Sequence, residues 1–235
     1  MARLSSNKTF HDEEFGDIEI RRTKGYSVSV QFQTDGRLVA HLPRFGSLKD
    51  IQKLLDANRS KLRRNLAHLP TKKTYANGDQ IGKSHRLRIE TGRTESVKLQ
   101  KLDIVVNVRP TTSEQERLRL IKDGVEKALR KEAKAYLPRR LEYLAGRHGF
   151  SYHKLRFAHA RSRWGSCTHR DGIIVISLNI MLMTLPNELI DYVLLHELTH
   201  IKNPNHGAQF WSDLEKVCPD ARAKRRAARQ FSPYL

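Results

Sequence analysis

Apolar and polar positions alternate through the first part of the chain. Ile18 and Ile20 lead into Tyr26, Val28, Val30 and Phe32, a period of two that predicts a half-buried strand. Asp35-Gly36 is a hairpin signal, and Leu38, Ala40 and Leu42 continue the alternation on the return strand. The period then lengthens. Leu48, Ile51, Leu54, Leu55, Leu62 and Leu66 fall on one face of a helix that Ser47 can cap, with Asp50 in its first turn and a basic outer face. Pro70 is expected to close it, and Asn77-Gly78-Asp79 marks a second turn. Strands follow around 86–90, 96–99 and 102–108. Residues 1–15 are polar and unpatterned, which predicts a loose arm ahead of a small β-rich unit with one helix.

Pro110-Thr111-Thr112-Ser113 is the expected boundary, dividing the chain into residues 1–110 and 111–235. Ser113 and Glu116 form a capping box for a long helix whose inner face carries Leu118, Ile121, Val125 and Leu129. Pro138 should kink or divide that helix, and Gly149 should end it. A strand and loop over 155–167, a turn at 168–172 and an apolar strand over 173–178 then precede another helix, with Pro186 in its first turn. Phe210, Trp211, Leu214 and Val217 line a further helix and read as core. Helices and strands segregated in this way make an α+β chain.

Composition changes the picture in one respect. The 235 residues carry 44 Lys+Arg against 25 Asp+Glu, a net charge of +19 that attracts polyanions such as nucleic acid or nucleotides. The bland alternative is a well-solvated basic surface around a neutral substrate. Basic residues gather in the stretch 221–229, which is either a solvated helix face or an anion-binding patch. Cys167 and Cys218 are too few for a disulfide framework. With no run of 18 apolar residues and no hydrophobic segment in residues 1–10, the expected compartment is the cytoplasm, with no membrane partner.

The candidate chemistry lies in Tyr192-Val193-Leu194-Leu195-His196-Glu197-Leu198-Thr199-His200. His196 and His200 are one helical turn apart, so both imidazoles can reach one zinc ion, and Glu197 can act as base toward a metal-bound water. Ile190, Val193, Leu194 and Leu198 give this helix a core-facing side. His206 lies too far on for the same helix, so the helix must stop. Pro204 disfavours helical backbone at Asn203, and Asn203 is expected to adopt the left-handed conformation that ends many helices. The spacing equals that of H-E-x-x-H-x-x-G-x-x-H, with Asn203 at the glycine position. Three protein ligands leave a position for water, the catalytic arrangement. Glu215, on the next helix, is the rival third ligand. Cys167 is a weaker candidate for a fourth, since most unpaired cysteines are buried small hydrophobes.

Arg161-Ser162-Arg163-Trp164-Gly165-Ser166-Cys167, Ile176-Ser177-Leu178-Asn179, the metal helix, Asn205-His206 and Phe210-Trp211 together resemble the YgjP-like predicted metal-dependent hydrolases, related to the SprT and WLM zinc metallopeptidases. The likeness is tight over 155–219 and looser upstream. It implies a zincin-like core with His196, His200 and His206 on the metal and Glu197 as base. Arg161, Arg163 and Asn179 are candidate substrate-binding residues, while Trp164 is expected to wedge against the metal helix. The expected activity is zinc-dependent hydrolysis of a peptide or protein, with another divalent metal as an option. Hydrolysis of a phosphoanhydride on the same site, or a basic nucleic-acid-binding protein with a structural metal, are the competing functions.

Overall fold

The computed structural model describes residues 8–33, 36–67, 74–160 and 162–233. Its backbone divides into two compact units, Met1–Lys73 and Thr74–Leu235.

In the first unit, β1 (Lys8–Asp12), β2 (Gly16–Thr23), β3 (Ser29–Phe32) and β4 (Leu38–Pro43) form a sheet ordered β1-β2-β4-β3, followed by α1 (Leu48–Ala67). The described part of the expected loose arm is therefore a strand, with Phe10 opposite Ile18. The turn works because Gly16 takes a φ of 68° and the buried Asp12 carboxylate accepts from Glu14 N–H, Phe15 N–H and the Arg59 guanidinium. The single strand expected from Ile18 to Phe32 is two strands, and Tyr26 lies fully exposed in the loop between them. Alternation alone cannot reveal such a break. Ile18, Ile20, Leu38, Ala40, Leu42, Ile51, Leu55 and Leu62 form this unit's core. The expected turn residue Asp35 and helix stop Pro70 lie outside the described residues.

The second unit begins with the same arrangement. Strands β5 (Gln80–Ile81), β6 (His85–Thr91), β7 (Ser96–Gln100) and β8 (Asp103–Val108) are ordered β5-β6-β8-β7, again followed by a helix, α2 (Glu114–His148). Even the register corresponds: Ala40 sits between Ile20 and Val30, as Val106 sits between Ile89 and Val97. These strands pack on α2 so closely that a Cβ on Gly124 would lie 2.7 Å from Ile104 Cγ2. That packing is why the compact units part at 73/74 and not at the expected 110/111.

Helix α2 runs as one element through Pro138, so the proline does not divide it, and Leu137 and Leu141 beside it are buried. Ser113 caps it by accepting from Glu116 N–H, and Gly149, at a φ of 67°, ends it. The third sheet contains β9 (Lys154–Ala158), β10 (Gly165–Arg170) and β11 (Ile173–Asn179) in the order β10-β11-β9. An Asp171-Gly172 turn with both φ values positive joins β10 to β11, leaving β10 at the edge of the described sheet. A 3-10 turn (Ile180–Thr184) leads to α3 (Asn187–Thr199), α4 (Ala208–Val217) and α5 (Ala221–Ala228). The architecture is α+β, and no described helix is long and apolar enough to cross a membrane.

One buried carboxylate ties α2 to the sheet before it. Glu132 accepts from Lys83 N–H (2.7 Å), Ser84 N–H (2.9 Å), the Ser84 hydroxyl (2.8 Å) and His85 Nδ1 (2.7 Å). Burial raises its pKa, but the bonds from Lys83, His85 and Ser84 outweigh that and hold it below the usual glutamate value. Glu132→Ala strands these donors and should destabilise this unit by about 3 kcal/mol or more. Trp164 and Trp211 are the chain's two tryptophans, so urea unfolding followed by tryptophan fluorescence reads the loss.

Candidate metal centre

Helix α3 is apolar nearly all round, with Ile190, Val193, Leu194 and Leu198 in the core, so the positions of His196 and His200 are set by packing. The helix then unwinds in tight turns: Ile201 N–H bonds Leu198 O, and Lys202 and Asn203 N–H both bond Thr199 O. Asn203 is not left-handed, contrary to expectation; the described non-glycine residues with positive φ are Lys101, Asp171 and Asp220. Asn203 acts through polar contacts instead. Its amide donates to Asp213 Oδ2 (3.0 Å), and its carbonyl accepts from His200 Nδ1 (3.0 Å). A carbonyl can only accept, so His200 carries its proton on Nδ1 and presents Nε2 as a lone pair.

His206 comes back from the segment between α3 and α4. Its Nε2 stands 3.0 Å from Nε2 of His196, and its ring centroid lies 4.6 Å from that of His200. Phe210, on α4 and fully buried, floors all three rings at centroid distances of 4.9, 4.6 and 4.8 Å. One ligating atom from each of His196, His200 and His206 lies within 4.8 Å of the others. Metal–nitrogen bonds of about 2.0–2.1 Å would close that span with small side-chain adjustments. Burial first, then the neighbouring imidazoles, pushes the His196 pKa down to about 3, and burial likewise lowers that of His206. Both are thus held neutral, as ligands must be. His196 Nδ1 is buried without a hydrogen-bond partner, and two Nε2 atoms face each other at 3.0 Å with at most one proton to share. A cation among the rings relieves that crowding of lone pairs, so the residues fit a divalent metal.

Glu197 is nearly buried, and burial pushes its pKa up to about 8 against the opposing Arg163 charge. The start of β10 passes so near that a Cβ on Gly165 would lie 2.8 Å from Glu197 Cγ and Oε1. Only glycine lets the strand approach the carboxylate. Cys167, two residues along β10, is half-buried; burial and then the Glu197 charge push its pKa up to about 11. It lies outside the cluster of ligating atoms and stays a thiol.

The remaining candidates separate. Arg163, Trp164, His196, Glu197, His200 and His206 all line one cavity of about 550 Å³. Arg161 lies outside the described residues. Asn179 is corrected: it is buried, its amide donates to Ala160 O, Arg163 O and Pro233 O, and its Oδ1 accepts from Met181 N–H, so nothing remains for a substrate. Glu215 is turned to Arg222 at 2.8 Å and does not join the histidines. Asp213, which orients Asn203, carried no signal in the sequence; its pKa is lowered by Lys216, Gln209 and Asn203.

A family model described as YgjP-like, metallopeptidase domain, matches residues 26–230. Among solved structures, the metallopeptidase zymogen of Pyrococcus abyssi abylysin is similar at 25% identity, covering 40% of this chain and 93% of that one, with a TM-score of 0.35. No curated protein matches.

Two outcomes follow from the Glu197 pocket. Gly165→Ala should disturb the carboxylate and lower hydrolytic activity at least tenfold, measured at unchanged metal content. In the metal-free protein, Glu197 is more protonated folded than unfolded, so its contribution to stability is lost as pH rises from its ordinary value of 4.5 toward about 8. His196 acts in the opposite sense, but only below its ordinary 6.5. Between pH 6.5 and 8 the melting temperature should therefore fall, and Glu197→Gln should flatten that slope.

Proposed function

The chain belongs to the YgjP-like metallopeptidase family, and from that membership we propose a zincin-like zinc peptidase in which His196, His200 and His206 hold the ion and Glu197 moves the proton. The reading rests on one observation: three imidazoles converge beside a buried carboxylate that stands outside their cluster and lines the same cavity. An all-imidazole donor set suits zinc. When bound, the metal supplies Lewis acidity, easing the ionisation of water and polarising the scissile carbonyl.

The chain's own residues do the rest. Glu197, held basic by burial, takes the proton from the attacking water and returns it to the departing amide nitrogen. The edge strand β10 offers unpaired backbone groups to an extended peptide, and Gly165 brings that strand against Glu197. Phe210 excludes water from beneath the rings, and Asn203 holds His200 in the required tautomer. The competing readings have less support. Among the described residues no cluster of carboxylates is placed to hold the magnesium that nucleotide hydrolysis commonly uses, and a purely structural ion gives Glu197 no purpose. Both cysteines are free, which favours a reducing compartment such as the cytoplasm.

Glu197→Gln should retain about one zinc per chain and lose cleavage of an unfolded protein by roughly 10²–10⁴-fold. His206→Ala should lose zinc itself. Metal analysis beside a gel assay, with chelation and zinc readdition as the control, checks both.

A further inference from the structure

Part of the cavity lining is cationic. Arg225 of α5 and Arg229, which caps that helix, line it, and Arg163 joins them from the loop before β10; among the described residues Glu197 is the only acid in the lining. Among the described residues, none of these three guanidinium groups forms an ion pair with a carboxylate, although the Arg163 charge does act on Glu197. The contrast with their neighbours is informative. Arg222, one turn before Arg226, is neutralised by Glu215 at 2.8 Å, and Arg140 is neutralised by Asp191.

Arg225 is also held in place. Its guanidinium carbon lies 4.9 Å from the centroid of the Trp211 ring, as does that of Arg222, and the same ring lies 6.4 Å from the His206 ring. Stacking uses the flat face of a guanidinium and leaves its N–H edge free to donate. Ala221 and Ala228 are buried, which fixes the face of α5 that carries Arg225 and Arg229. Arg225 and Arg229 are like charges four residues apart, a pairing that costs helix stability, and α5 contains no acid to offset it. Core packing keeps a helix whose charges need an external counterion.

We propose that Arg225 and Arg229 determine specificity, making the cavity select peptides that present a carboxylate beside the scissile bond. The inference rests on the peptidase reading above and names its substrate class. The carboxylate is either an acidic side chain or the free C-terminus of the peptide, since both offer the two-oxygen acceptor that a guanidinium edge matches.

The test uses zinc-loaded Glu197→Gln chain, so that binding is read without turnover, and fluorescent peptides of one sequence. One set is blocked at both ends and carries Glu or Gln at successive positions. The other carries a free or an amidated C-terminus. Anisotropy should show the carboxylate peptide of one set binding roughly ten- to a hundredfold more tightly than its amide twin, as charge-assisted hydrogen bonds imply, and the set that responds identifies the source. Adding Arg225→Gln and Arg229→Gln should reduce the difference to within twofold at unchanged zinc content, whereas Arg226→Gln, outside the cavity wall, should leave it intact. Equal binding of acid and amide twins overturns the proposal. So does a preference that survives loss of both arginines, or tighter binding of a nucleoside triphosphate than of any carboxylate peptide. If the preference holds but the wild-type chain cleaves none of these peptides, the selectivity stands and the peptidase reading fails.

Discussion

A helix that must end at one residue governs the centre of this molecule. Had α3 continued past His200, His206 would have been carried away along the axis, and two imidazoles would have remained with no third. Unwinding over residues 200–203 does two jobs: it reverses the chain, and it aims a backbone carbonyl at His200 Nδ1. The same peptide segment thus shapes the return and selects the tautomer. Asp213 fastens the arrangement from α4, and Phe210 on the same helix supplies the apolar floor. Position and protonation state are therefore settled by one local fold.

Electrostatically the centre is divided. On the side of the rings, burial and mutual proximity suppress positive charge; on the side of Glu197, burial suppresses negative charge. Without a cation the cluster of rings is poorly satisfied, as the unpartnered Nδ1 of His196 attests. Such a site gains from binding a divalent ion, because the ion gives the lone pairs of the rings a partner and its positive charge favours the ionised form of Glu197. The energetic cost of assembling it is met by the surrounding core, in which Leu194, Leu198, Phe210 and Leu214 are all fully buried.

The parts of this centre that were legible in the sequence are those where chemistry demands a residue type at a spacing. His196, Glu197, His200 and His206 met that condition, and a helix stop between the last two was implied by Asn203-Pro204. What could not be read depends on long-range packing. The closeness of Gly165 to Glu197 is a relation between a strand and a helix some thirty residues apart, and the role of Asn203 belongs to a carbonyl that every residue possesses. Asn179 misled for a related reason: its donors are visible in sequence, but the three carbonyls that occupy them are not. Elsewhere, alternation over Ile18–Phe32 concealed a break, and the proline-marked boundary at 110 proved weaker than the packing of β8 and β7 on α2.

The Asn179 amide has one more consequence. By gripping Pro233 O along with the carbonyls of Ala160 and Arg163, it ties the segment that follows α5 to the loop that precedes β10, and both stretches line the cleft. A single buried amide thus couples two stretches of the cleft lining that are some seventy residues apart, so loosening one of them loosens the other.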